Sequence, residues 1–103
     1  MLNNIEKSIV SQFIQNLDRY GNETMILIWD TDNKVCALFE TCFEDENDYD
    51  ARDDRFEEFV SFAFTALSIE GNPPIYITKD SCFLVSYHNF PDIILSKNGK
   101  KIN

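Results

Sequence analysis

A chain of 103 residues that is 44% apolar, with nine phenylalanines, four tyrosines, one tryptophan and only three glycines, has the composition of a folded protein with room for one core. It is read as a single domain spanning residues 1–103. A net charge of −9 excludes nucleic acid and anionic membrane as partners, since both repel an acidic surface, and suits rapid capture of something basic.

In chain order, the opening MLNNIEKSIV lacks a charged segment followed by an apolar run, so no signal peptide is expected. No apolar run approaches the ~20 residues of a membrane span, and the chain is assigned to the cytoplasm. Residues 4–20 read as a helix: Ile5, Ile9, Phe13 and Leu17 recur every four positions, with Val10 and Ile14 widening the stripe. Asn3 or Asn4 can cap its start, and Gly21 stands where a left-handed terminal residue is expected. Glu6, Lys7, Gln12, Gln15, Asp18 and Arg19 are expected to meet water.

Residues 24–29 (TMILIW) and 34–43 read as two strands of an antiparallel hairpin around the turn 30–33, with Trp29 half-buried near that turn. In the second strand, alternation places Val35, Ala37, Phe39 and Thr41 on one face and Cys36, Leu38, Glu40 and Cys42 on the other. A second helix is expected from Asp53 or Asp54, where Asp54 and Glu57 have capping-box spacing. Its stripe would be Phe56, Phe59, Val60, Ala63, Ala66 and Leu67, ended by Glu70, Gly71 and the prolines that follow. Residues 75–79 and 82–88 suggest a further strand pair, and 93–96 a last edge strand. The fold class is thus α+β: an antiparallel sheet of four or five strands with two helices on one face, in the order α-β-β-α-β-β(-β).

The stretch 44–58, EDENDYDARDDRFEE, departs furthest from an ordinary globular sequence. It holds nine of the eighteen carboxylates, namely Glu44, Asp45, Glu46, Asp48, Asp50, Asp53, Asp54, Glu57 and Glu58, against only Arg52 and Arg55. A helix N-terminus is stabilised by one or two acids, each by roughly 0.3–1 kcal/mol, so capping does not explain nine. Aromatic residues sit among the charges: Phe43 before them, Tyr49 between Asp48 and Asp50, Phe56 after Arg55. Binding surfaces combine the two, because aromatics supply contact energy and rim charges supply steering. The candidate partner-binding residues are Glu44, Asp45, Glu46, Asp48, Tyr49, Asp50, Asp53, Asp54 and Glu57. The bland alternative is a solvated loop whose Phe43 and Phe56 turn into the core, and Tyr49 separates the two readings.

No pattern points to catalysis, a metal, a cofactor or a small-molecule ligand. Asp48-x-Asp50 opens like a calcium loop, but Arg52, Asp53 and Phe59 occupy positions that need a ligand, a glycine and a glutamate. A dense carboxylate run is solvated and ionised, which does not suit a general acid. His88 and Cys82 are too far apart along one strand to act together. The three cysteines, Cys36, Cys42 and Cys82, form no CxxC pair and fit reduced thiols. The chain is read as a non-enzyme.

Small size, acidity and the absence of an active site together resemble the bacterial immunity proteins, including those of contact-dependent growth inhibition, each made beside a toxin that it neutralises. The resemblance covers the whole chain in character and rests on no motif. It implies a basic toxin domain as partner, and a nuclease in particular, since a cleft that holds phosphates is basic and carboxylates can fill it. The alternative is a regulatory or nucleic-acid-mimic module for a basic host protein.

Overall fold

The computed structural model describes residues 2–103. Helix α1 (Asn4–Tyr20) is followed by five strands: β1 (Thr24–Asp30), β2 (Asn33–Glu46), β3 (Glu58–Glu70), β4 (Cys82–Val85) and β5 (Ile93–Leu95). They form one antiparallel sheet in the order β4-β3-β2-β1-β5, with α1 on one face. The α+β class and antiparallel sheet match expectation, but among the described residues there is one helix, not two.

Helix α1 has the expected limits, and Asn3 is its N-cap, its side chain accepting the Glu6 N–H at 2.7 Å. Gly21 is not left-handed, with φ −65°. Its lack of a side chain matters for space, because a Cβ there would lie 2.5 Å from the Leu17 carbonyl oxygen. The buried stripe is rotated from the expected one. Val10 and Phe13 are fully buried and Ile9 and Leu17 partly so, whereas Ile5 is 65% exposed. Glu6, expected in water, is fully buried.

The β1–β2 hairpin forms as predicted, from Thr24↔Leu38 to Asp30↔Asn33. Val35 and Ala37 face the helix, but a bulge between Phe39 and Thr41 reverses the alternation, so Thr41 pairs with Ala63 on the outer face and Cys42 with Phe62. Trp29 is buried more deeply than expected, and its indole N–H donates to the Asn89 carbonyl at 2.6 Å.

The main correction lies at 53–67, where turns lead into strand β3. The stripe from Phe56 to Leu67 fits a helix, yet the same residues alternate as Val60, Phe62, Phe64 and Ala66. The strand wins because its alternation seals Phe62 and Phe64 completely while leaving Leu67 exposed, and because aromatic and β-branched side chains suit a pleated surface. Asp54 therefore caps no helix. The expected strand at 75–79 is also absent: this segment, entered through Pro73 and Pro74, is irregular, although Ile75 and Ile77 still pack on the core. Strand β4 stops at Val85 and not at 88, where Ser86 begins a turn closed by the Asn89 N–H on its carbonyl.

Phe13 occupies the centre of the core. Its ring meets those of Phe39, Phe62, Phe64 and Phe90 at centroid distances of 6.3, 5.4, 6.2 and 5.8 Å. A single helix about 10 Å wide cannot cover five strands spaced about 4.8 Å apart. Loop and tail side chains, including Ile75, Ile77, Phe90 and the buried Ile102, complete this side.

Candidate functional site

Strands β2 and β3 run on together past the rest of the sheet, pairing as far as Glu44↔Val60, Asp45↔Phe59 and Glu46↔Glu58. The acidic stretch is therefore the projecting end of a long hairpin and its tip. Asn47 closes the neck: its side chain donates to the Arg55 carbonyl at 2.7 Å and accepts the Glu57 N–H at 3.2 Å. Beyond it the tip consists of two consecutive turns, closed by the Asp53 N–H on the Asp50 carbonyl and the Phe56 N–H on the Asp53 carbonyl, at 2.8 and 3.0 Å.

Each turn repeats Asp-x-Arg, and each aspartate holds the arginine two residues on. The Asp50 carboxylate accepts the Arg52 backbone and Nε hydrogens at 2.9 and 3.2 Å. Asp53 accepts those of Arg55 at 2.8 and 3.0 Å and pairs with its Nη2 at 2.8 Å. Aspartate commonly bonds the backbone two residues ahead, which makes the spacing turn-forming in its own right. The arginine side chains, and then their backbone N–H groups, hold both carboxyls below the usual range, and Asp53 raises the Arg55 pKa in turn.

The nine candidates thus divide. Asp50 and Asp53 build the tip. Asp45 is half-buried and accepts the hydroxyl of buried Ser61 at 3.0 Å. Glu57 turns toward the body of the protein, and Glu44 has interactions of its own. Glu46, Asp48 and Asp54, with Glu58, are exposed and hold no side-chain partner among the described residues. Tyr49 is 43% exposed, but the Arg55 guanidinium lies 4.2 Å over its ring, so one aromatic face is already covered. Phe43 is exposed and Phe56 partly buried.

A cluster that the sequence did not reveal lies at the base. Glu57 accepts the Tyr87 hydroxyl, meets His88 Nε2 at 2.7 Å and receives the Asn3 amide at 3.4 Å. That hydroxyl bond, then burial and the Glu57 charge, push the Tyr87 phenol above its ordinary value. His88 Nδ1 lies 2.9 Å from Ser86 Oγ, completing a serine–histidine–carboxylate chain. Ser86 Oγ also accepts the His88 backbone N–H at 3.2 Å and is nearly buried, so the chain closes a turn and ties β4 to the hairpin base. Glu6 completes the region: its Oε2 accepts the Val60 N–H at 2.8 Å while Oε1 has no partner among the described residues. Some thirty residues separate Glu57 from Tyr87 and His88, and no local pattern joins them.

Among the described residues no three His, Cys, Asp or Glu side chains converge as metal ligands, and no helix is long and apolar enough to cross a membrane. Comparison with curated proteins and with solved structures gave no match. The family model for the cognate immunity protein YxxD matches residues 9–103, nearly the whole chain and every strand of the sheet. With its acidic projecting hairpin and single-helix sheet, the chain belongs to the family of cognate immunity protein YxxD.

Proposed function

We propose that this immunity protein, acting as one domain in the cytoplasm of the producing cell, neutralises its cognate toxin by laying the acidic hairpin on a basic surface of the toxin. A nuclease is the toxin class that best fits, because its phosphate-binding cleft must be basic and ordered carboxylates can occupy it. The inhibition is stoichiometric binding, with no catalytic step. The observation that carries the reading is the division of the carboxylates: both tip arginines are engaged by Asp50 and Asp53, while Glu46, Asp48, Asp54 and Glu58 stay free of side-chain partners among the described residues. The tip is stiffened without use of the charges that would meet the toxin.

Exposed charge pairs contribute about 0–1 kcal/mol each, so the free carboxylates act chiefly on association. The test is binding kinetics against the cognate toxin domain at several salt concentrations. Changing Glu46 and Glu58 to Gln and Asp48 and Asp54 to Asn should slow association about tenfold or more at low salt and flatten its salt dependence. Association and salt slope equal to those of the wild type would remove the hairpin from the interface.

A further inference from the structure

The tip of the acidic hairpin offers charge but little apolar contact, since Arg55 already covers one face of Tyr49. Binding energy concentrates in apolar and aromatic side chains seated in desolvated pockets, with charges at the rim. Such surface exists next to the hairpin. Helix α1 covers one face of the sheet, and among the described residues no helix covers the other. Register sets Thr41, Ala63 and Leu84 side by side on that outer face, with Leu84 46% exposed. The irregular segment before β4 holds Tyr76 beside them, 82% exposed. Between them lies a largely apolar cleft of about 290 Å³, lined by Ala63, Tyr76, Thr78, Cys82, Phe83 and Leu84.

Extending the toxin-binding reading above, on which this inference rests, we infer that the interface runs from the acidic hairpin onto the outer face of β3 and β4. There a large apolar or aromatic side chain of the toxin enters the cleft between Tyr76 and Leu84. The two surfaces share strand β3. Alternation sets the free Glu46 and Glu58 on the helix side with Val60 and Phe62, so the tip, with Asp48 and Asp54, is the part of the hairpin that borders both faces. Ala63 stands four residues along β3 from Phe59, the register partner of Asp45, which is about 13 Å at strand spacing. Charge selects the occupant: a second copy would bring another −9 against this chain, whereas a basic toxin is attracted to it. The hairpin then governs arrival and the cleft governs residence.

The test is the dissociation rate from the cognate toxin domain for Tyr76→Ala, Leu84→Ser and the double variant, beside the hairpin variant described above. The double variant should dissociate about tenfold or more faster, with association within about twofold of wild type and an unchanged salt slope. Tyr76→Phe should dissociate like the wild type. A folded double variant that dissociates within about twofold of wild type overturns the inference. If the double variant fails to fold, Tyr76→Ala alone decides, since that side chain is almost entirely in solvent. Fast dissociation of the cleft variants beside a hairpin variant that behaves as wild type would sink the acidic reading and keep the cleft, and the reverse pattern would do the opposite. Sedimentation of the free protein should show a monomer. A dimer dissolved by Leu84→Ser would give the face to a second copy and overturn its assignment to the toxin.

Discussion

Replacing Phe13 by alanine tests the core directly. The side chain is fully buried and touches four other phenylalanines with centroid separations of 5.4 to 6.3 Å. Its loss removes the transfer energy of a benzyl group and leaves a cavity in a region whose neighbours come from α1, β2, β3 and the segment after β4. Those neighbours cannot all move inward together, so the cost should lie in the usual range of about 3–5 kcal/mol for a buried Phe→Ala change. For a domain of about 100 residues each kcal/mol lowers the melting temperature by about 4–8 °C, giving a fall of about 12–40 °C. Ile5→Ala is the control. Sequence spacing puts Ile5 and Phe13 in one stripe, but Ile5 is 65% exposed, and its change should stay within about 0.5 kcal/mol. Thermal unfolding followed by circular dichroism reads both. Equal destabilisation by the two substitutions would mean that the helix sits about one residue round from the orientation described, and the reasoning would fail.

The tip should loosen in acid. Asp50 and Asp53 have lowered pKa values, so their contribution to loop order is complete above about pH 4 and is lost as the pH falls through those lowered values. Followed by NMR, the Asp50 and Asp53 carboxyl carbons should titrate below the ordinary aspartate range, and titration at or above that range would contradict the assignment. Glu57→Gln should return the Tyr87 phenol toward its ordinary value, read by ultraviolet titration, because the bond to Glu57 is the chief cause of its rise. No movement would place that cause elsewhere. Cys36, Cys42 and Cys82 are free thiols, and Cys36 and Cys42 lie outside the cleft, so replacing those two with serine should preserve toxin binding within about twofold, and a folded double variant without binding would reveal an overlooked thiol role.

The sequence made the first helix, the β1–β2 hairpin and the last strand legible because each has one unambiguous period and a clear turn signal. Residues 56–67 carried two periods at once, and spacing alone could not choose between them. The decision depends on the long partner strand β2, a contact made across the chain. Glu6 shows the same limit. Its place among polar helix residues suggested solvent, yet it is buried because the Val60 N–H needs an acceptor there. The acidic concentration was plain from the start, but not its division into loop-building and free carboxylates, which depends on where each arginine turns. The Glu57, Tyr87 and His88 group came only from the folding of β4 beside the hairpin base.

The Glu6 contact has a consequence for how safely this chain folds. From Glu58 to Glu70, β3 carries eleven residues without a charge or a proline, rich in phenylalanine, the composition of a segment that adheres to copies of itself. Acidic residues stand at both ends as gatekeepers. In the native sheet β2 occupies one edge along its whole length, and β4 occupies the middle of the other. The Ser81 carbonyl takes the Ala66 N–H beyond one end of β4, and beyond the other end the buried Glu6 carboxylate takes the Val60 N–H. A side-chain acceptor in that place satisfies the donor that an incoming strand would use. Fraying of the first turn of α1 would therefore do more than shorten a helix: it would uncover the most adhesive edge in the molecule.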